Sequence, residues 1–220
     1  MSKRSRIFLK TAVWVVCLFP LVYLVSRLQF GDLGASPIRC ATHRLGDAAI
    51  RILFVGLSLT PIRLLFGLTW PLIFRRLLGL FAFFYAVLHF GVWVGLDHFF
   101  NGKRLLLDIL KRPYVTVGML ALLLLIPLAA TSTAKMMKRL GDKRWRRLHQ
   151  CVYIVGILSV LHYVWLVKRG VNAPFGYMAL LTLLLGIRLW NSRKKSQPAS
   201  TKRRWKFWVK RVETETAGSG

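Results

Sequence analysis

The 220-residue chain has very few acidic side chains: seven Asp and Glu residues stand against 34 Lys and Arg, which gives a net charge of +27. None of the seven acids lies deep inside the long apolar segments of the sequence. We therefore expect neither acid–base catalysis by paired carboxylates nor a proton-coupled transporter that relays protons through buried acids.

Cysteine is also scarce, since Cys17, Cys40 and Cys151 are the only three and share no short spacing. The sequence holds no CxxC pair, no zinc-binding pattern and no CxxCH motif of the kind that attaches haem covalently. We expect no disulfide, and we expect the three thiols to pack as small apolar side chains.

Long apolar runs dominate the rest of the sequence. Hydrophobic residues make up 55% of the chain and are concentrated in runs of about 20 residues, the length that crosses a bilayer as a helix. The runs predict six membrane spans at approximately 7–28, 44–65, 77–96, 114–130, 149–167 and 174–190. The expected fold is all-α, a polytopic membrane protein whose six-helix transmembrane bundle fills residues 1–190. Residues 191–220 then form a basic cytoplasmic tail, interfacial or disordered.

The basic residues predict the orientation of these spans. With the N-terminus inside, the segments on that side hold 24 of the 34 Lys and Arg residues, and the segments outside hold 8. This bias follows the positive-inside rule and predicts that both chain termini are cytoplasmic.

The C-terminal tail mixes cations with aromatic residues, among them Trp190, Trp205 and Trp208. A basic aromatic segment next to a membrane span favours anionic lipid headgroups. Such a composition is also compatible with contacts to RNA or DNA. Because the tail directly follows a span, we expect the lipid bilayer as its partner and no nucleic acid.

The five histidines differ in their surroundings. His43 and His98 lie at the predicted outer surface and are expected to be interfacial residues rather than ligands. His89 and His162 lie inside apolar runs, where a histidine is costly and needs a partner. They are 12 and 13 residues from the predicted cytoplasmic ends of their spans, or about 18 Å and about 19.5 Å. Two facing histidines at one depth are what a six-coordinate haem iron requires, so we predict both as axial ligands in the outer half of the membrane.

His149, at the cytoplasmic start of the fifth predicted span, has other neighbours. On a helix continuous from residue 149 it points about 140° away from His162. With Trp145 and the guanidiniums of Arg75 and Arg76, which suit propionates or a phosphate, it predicts an inner cofactor site. There His149 is a ligand of a second haem or the neighbour of a flavin, and an ordinary interfacial histidine is the alternative.

Residues 13–188 resemble a known protein family along most of their length. The resemblance is carried by short motifs in the predicted spans and loops: Leu33-Gly34-Ala35 with Pro37, His43 with Gly46, Leu59-Thr60-Pro61, Arg75-Arg76-Leu77-Leu78-Gly79-Leu80, Leu88-His89, Arg112-Pro113-Tyr114 with Thr116 and Gly118, Thr131-Ser132-Thr133, Leu140-Gly141, Trp145, Leu148-His149, Val152-Tyr153 and His162-Tyr163 with Trp165. In these motifs the chain is similar to the MsrQ family (formerly YedZ), the haem-binding membrane subunits of bacterial periplasmic methionine sulfoxide reductase systems. That family is part of the ferric reductase-like transmembrane superfamily.

The resemblance implies a b-type haem and FMN as cofactors. The family's haem histidines fall on His89 and His162, with His149 as the third. The resemblance also implies that electrons arrive from the quinone pool or a cytosolic flavin reductase and leave to MsrP, a periplasmic molybdopterin reductase that repairs methionine sulfoxide in oxidised proteins. The chain would then be an electron-transfer subunit in the bacterial inner membrane, not itself the methionine sulfoxide reductase.

Two other classes of protein stay open. A channel, transporter or assembly factor without a cofactor explains the spans and the charge bias equally well, but it gives no reason for two level histidines. The second class is another ferric reductase-like haem reductase or a quinone:cytochrome enzyme. A cytosolic flavin domain in the chain would favour this class. The predicted 30-residue tail is too short to hold such a domain.

Overall fold

Helices make up nearly all of the described structure. The computed structural model describes residues 3–31, 33–166 and 173–196, of which 89% are helical, with no β-strand among them. In chain order the elements are α1 (Lys3–Gln29), α2 (Pro37–Phe66), a 3₁₀ turn (Trp70–Phe74), α3 (Arg75–Val92), a π-helical segment (Trp93–Asp97), α4 (Gly102–Lys111), α5 (Pro113–Ala130), α6 (Ala134–Leu140), α7 (Asp142–His149), α8 (Val152–Leu166) and α9 (Ala173–Ser196).

The chain is a multi-pass α-helical membrane protein. Within the described ranges, five helical segments are long and apolar enough to cross a bilayer: Arg4–Gln29, Pro37–Phe66, Trp70–Asp97, Pro113–Ala130 and Asp142–Leu166. They correspond to the first five predicted spans. α9 covers the sixth but is not one of these five segments, so the count of six spans stays a prediction. The end of the fifth predicted span at Val167 and the tail beyond Ser196 lie outside the described residues.

The fifth predicted span is not one helix from residue 149 onwards. His149 is the last residue of α7, and α8 begins only at Val152. In the turn between them the Cys151 N–H donates to the Leu148 carbonyl three residues back, at 3.0 Å, instead of to the carbonyl four residues back. The angle between His149 and His162 therefore does not follow from a single ideal helix, and that step of the sequence argument does not hold.

Proline and glycine set several helix ends. Pro37 and Pro113 begin α2 and α5, positions where the missing N–H costs little. Gly67 ends α2 with φ +71°, and its N–H donates to the Arg63 carbonyl at 3.0 Å. This left-handed cap satisfies a carbonyl that the helix end leaves without a partner, and glycine adopts it without a steric cost.

Tyr85 of α3 ties α1 to the bundle. Its side chain is completely buried, and its hydroxyl donates to the Cys17 carbonyl at 2.6 Å and accepts from the Leu21 N–H at 3.2 Å. These two backbone groups are four residues apart and would pair with each other in a regular α-helix. Insertion of a side chain here, next to Pro20, is a recognised cause of a bend in a helix.

Backbone packing divides the bundle into two close pairs, α2 with α3 and α5 with α8. α9 packs on both pairs, because it contacts α2 and α8, and α3 also contacts α5. No comparable packing joins α3 directly to α8 in the part of the chain that the structure describes. We call the end of the bundle with α4 the α4 end and the opposite end, with α6 and α7, the α7 end.

Candidate functional site

His89 of α3 and His162 of α8 face each other across the boundary between the two helix pairs. Their ring centroids are 6.1 Å apart, and the ring planes are at 87° to each other. Both side chains are partly buried and lie towards the α4 end. The structure therefore brings together the two histidines that the sequence placed at one depth.

A backbone carbonyl holds each of the two rings. His89 Nδ1 donates to the Thr42 carbonyl at 2.8 Å, and His162 Nδ1 donates to the Tyr114 carbonyl at 2.7 Å. Because a carbonyl oxygen can only accept, each neutral ring must carry its hydrogen on Nδ1. Each Nε2 then keeps a lone pair, and an Nδ1–H···O=C bond is the usual outer contact of a metal-binding histidine.

Each ring also lies against a helical glycine. A Cβ built at Gly46 would be 3.1 Å from His89 Nδ1, and a Cβ at Gly118 would be 2.7 Å from His162 Nδ1. Gly46 follows Thr42 by four residues, and Gly118 follows Tyr114 by the same four residues. Each glycine lies one helical turn after the accepting carbonyl. Because it has no Cβ, an imidazole from another helix can reach that carbonyl.

The spacing of the rings fits two axial ligands of one metal. An imidazole nitrogen binds a transition metal at about 2.0–2.1 Å and lies about 1.1 Å from its own ring centre, so two trans ligands place their centroids about 6.3 Å apart. The observed separation is 6.1 Å. The 87° between the planes is compatible with such a pair, because two imidazoles can bind one metal at any angle between their ring planes. The free Nε2 atoms and the weak backbone contact between α3 and α8 suit a flat macrocycle between the two helices.

His149, the third predicted ligand, lies at the α7 end. Its ring stacks on Trp145, with centroids 3.9 Å apart and planes at 26°, and its Nδ1 donates to the Trp145 carbonyl at 3.1 Å. Ser132 Oγ lies 3.4 Å from His149 Nε2 but donates its own hydrogen to the Leu128 carbonyl at 2.7 Å. In the neutral ring the Nε2 lone pair is therefore without a donor in these contacts.

One cation, Arg75, lies near this second histidine, and two further cations lie near Arg75. Arg75 is partly buried and lies within electrostatic reach of His149, and its positive charge is also repelled by those of Arg63 and Arg188. The guanidinium of Arg188, from α9, lies 4.3 Å from the centre of the Tyr153 ring, an arrangement that favours a cation. Arg76 is exposed. An anionic group is the ligand that this cluster of Arg75, Arg188 and His149 suits best.

Comparisons with known proteins agree with this architecture. The family model described as "Ferric reductase like transmembrane component" matches residues 45–160. A protein of Rhodospirillum rubrum named "Protein-methionine-sulfoxide reductase heme-binding subunit MsrQ" is 51% identical over 180 residues, which cover 82% of this chain and 86% of the relative. A protein of the same name from Caulobacter vibrioides is 43% identical over 188 residues, covering 86% and 90%.

The chain belongs to the MsrQ family. The sequence motifs that indicated this family are therefore confirmed as a guide to its membership and to its ferric reductase-like helical fold. The relatives' name describes a haem-binding subunit.

Several residues of the site in this MsrQ-family chain were not predicted. Thr42 and Tyr114 act through backbone carbonyls, which carry no sequence signal. Arg188 joins the cations at the α7 end from α9, far away in the sequence. Gly46 and Gly118 did leave a signal, because a glycine inside an apolar helix often marks a close approach. The structure also departs from the sequence at His98, which is buried (7% exposed) and not at an open interface.

Proposed function

We propose that this chain holds a b-type haem between His89 and His162 and carries electrons across the membrane to a periplasmic MsrP-type molybdopterin reductase. The observation that carries the proposal is the matched pair of imidazoles. Their Nδ1 atoms donate to backbone carbonyls, their Nε2 atoms keep lone pairs, and their ring centres are 6.1 Å apart. The chain's own part is electron transfer, and reduction of methionine sulfoxide belongs to the partner.

The haem, when bound, supplies a one-electron iron couple. The protein's residues fix the environment in which that couple works. The Thr42 and Tyr114 carbonyls hold the two rings in the ligand tautomer and strengthen their donor nitrogens. The apolar helices around them keep water and counter-charges away, which tunes the potential of a buried metal centre.

The donor side of this pathway is proposed at the α7 end, around His149, Trp145, Arg75, Arg76 and Arg188. FMN or a second haem would suit these residues, because guanidiniums pair with phosphate or propionate groups. His149 would then be a ligand or a close neighbour of that inner cofactor. The electrons would come from the quinone pool or a cytosolic flavin reductase.

The proposed location is the bacterial inner membrane with both termini in the cytoplasm. The charge bias of the sequence supports this orientation, since 24 of the 34 basic residues fall on the side of the termini. His89 and His162 then lie in the periplasmic half, near the acceptor, and His149 lies near the cytoplasmic donor.

The haem site is tested by substituting each ligand. In the purified protein, His89→Ala and His162→Ala should each remove most of the Soret absorbance, because each substitution removes one of the two nitrogens that would hold the iron between α3 and α8. His43→Ala is the matched control, an exposed histidine within electrostatic reach of both rings. His149→Ala should spare the signal of the outer haem. Wild-type absorbance in both ligand variants would refute the assignment.

Spectra of membranes that contain the wild-type chain separate the alternative functions. Membranes that contain overexpressed chain but show no b-type band in a reduced-minus-oxidised spectrum would favour a channel, transporter or assembly factor. A haem spectrum without electron transfer to a methionine sulfoxide reductase would favour another ferric reductase-like haem reductase.

A further inference from the structure

A series of polar contacts at the α4 end connects α3, the helix of His89, to the start of α5, where the Tyr114 carbonyl holds the His162 ring. His98, directly after the π-helical segment that extends α3, is 7% exposed. Its Nε2–H donates to Asp108 Oδ2 of α4 at 3.0 Å, and the Asp108 side chain is only 17% exposed. This pair differs from the exposed ion pair of Asp142 and Arg146 at the α7 end, because leaving a buried polar group without its hydrogen-bond partner costs more than leaving an exposed one.

The backbone before α4 is strained. Phe99 and Phe100 have φ angles of +48° and +56°, two consecutive left-handed residues where neither is glycine. Such residues persist only where the surrounding structure enforces them. The two phenyl side chains are 73% and 77% exposed, so their own burial does not hold the turn. The contacts on either side do, among them the His98–Asp108 pair and the Phe100 N–H donating to the Val94 carbonyl at 2.9 Å.

The contacts continue from α4 into α5. Arg112 Nη1 lies 3.3 Å from Asp108 Oδ2 and donates to the Tyr114 hydroxyl, also at 3.3 Å. Thr116 Oγ1 donates to the Ile109 carbonyl at 2.7 Å, which fastens the first turn of α5 to α4. Tyr114 is the residue whose carbonyl accepts from His162 Nδ1.

We propose that His98, Asp108, Arg112 and Tyr114 form a clamp, the α4 clamp, that sets the separation and relative orientation of His89 and His162. The inference rests on the proposed function, since it takes these histidines to be axial ligands. Over the described residues α3 and α8 have little direct backbone packing, so their relative position at this end must be set through other elements. A metal site needs its ligands within about 0.2 Å of the bonding distances, so small changes in that position matter. The clamp residues that precede Tyr114 are positioning residues and do not touch the iron.

The test compares Asp108→Asn and His98→Ala with the wild-type protein loaded with haem. The readouts are the low-spin electron paramagnetic resonance g-values of the oxidised haem, its midpoint potential, and the rate of haem transfer to apomyoglobin. For His98→Ala we expect altered or broadened g-values, a shifted potential and roughly tenfold faster haem loss, because a hydrogen bond to a carboxylate is lost. Asp108→Asn removes the charge but keeps an amide oxygen that can accept from His98, so the same changes should be smaller. His98→Gln, which keeps an N–H donor close to the position of Nε2, should restore most of the wild-type values.

Asp142→Asn is the matched control, the same substitution in an exposed pair at the opposite end. If His98→Ala does not fold, Arg112→Gln replaces it, because it removes the contacts to Asp108 and Tyr114 and leaves the buried pair intact. Unchanged g-values, midpoint potential and rate of haem loss in the folded clamp variants would overturn the proposal. The contacts would then only hold the loop before α4 in place. Failure of the proposed function itself would look different, because His89→Ala would then keep the wild-type spectrum.

Discussion

The close approach of His162 to Gly118 gives the sharpest prediction for the haem site. In Gly118→Ala the new Cβ would lie 2.7 Å from Nδ1 and 2.9 Å from Cε1 of His162, and ordinary contact begins near 3.4 Å. The ring must therefore retreat by about 0.7 Å, which can lengthen its 2.7 Å bond to the Tyr114 carbonyl past the usual range of about 2.7–3.2 Å and weaken it. Overpacking of this kind costs about 1–3 kcal/mol, which weakens haem retention by about 5- to 150-fold.

The same substitution should not destabilise the helix. Alanine is favoured over glycine inside a helix by about 0.8–1.0 kcal/mol. This gain offsets part of the overpacking cost, so the haem-free protein should lose no more than about 2 kcal/mol of stability, measured by a thermal melt followed by far-UV circular dichroism. Haem transfer to apomyoglobin measures the loss of retention. A haem-free variant that still unfolds in one cooperative transition, together with faster haem loss, separates damage to the site from general unfolding.

Two other glycines complete the series. Gly46→Ala brings a Cβ to 3.1 Å from His89 Nδ1, so the ring needs to move by only a few tenths of an ångström, and we expect less than about a tenfold effect. Gly91→Ala meets no atom within 4 Å and should keep haem as the wild type does. The reasoning is refuted if Gly118→Ala retains haem as well as Gly91→Ala.

Three further predictions follow from other contacts. Tyr85→Phe removes a buried hydroxyl that bonds to two backbone groups of α1, so the melting temperature should fall by an amount equivalent to about 1–3 kcal/mol; an unchanged melt would contradict this role. Arg188→Gln should weaken retention of an anionic cofactor at the α7 end, measured as its content per chain, and equal content would argue against a site there. Trp145→Phe should preserve, and Trp145→Ala reduce, the absorbance of a cofactor near His149, since phenylalanine keeps a stacking surface.

The sequence predicted the membrane-spanning helices because the length of an apolar run can be read directly from consecutive residues. It also predicted the meeting of His89 and His162, because their depth could be counted from the basic ends of the spans. It missed the carbonyls of Thr42 and Tyr114, which lie 47 and 48 residues away along the chain from the rings that they hold. Which carbonyl accepts from which ring depends on how the helix pairs rotate against each other, and that rotation is set by tertiary packing.

His149 and His98 show two further limits of the sequence argument. The direction of the His149 side chain relative to His162 was derived for one continuous helix, but a tight turn at Cys151 separates His149 from α8. His98 was expected to be an interfacial residue because its partner Asp108 is ten residues away, beyond a strained turn whose two left-handed residues are phenylalanines. Sequence rules do not anticipate two successive left-handed phenylalanines, which persist only through their tertiary contacts.

The most direct test of the paired-histidine site is the electron paramagnetic resonance spectrum of the oxidised, haem-loaded protein. The geometry predicts a low-spin signal typical of two axial imidazoles in the wild type, because both Nε2 atoms keep free lone pairs and the ring spacing is 6.1 Å. That signal should disappear in His89→Ala and in His162→Ala and should persist in His43→Ala. If the wild-type protein gave a high-spin signal, or if either ligand variant kept the low-spin one, His89 and His162 would not be the axial pair.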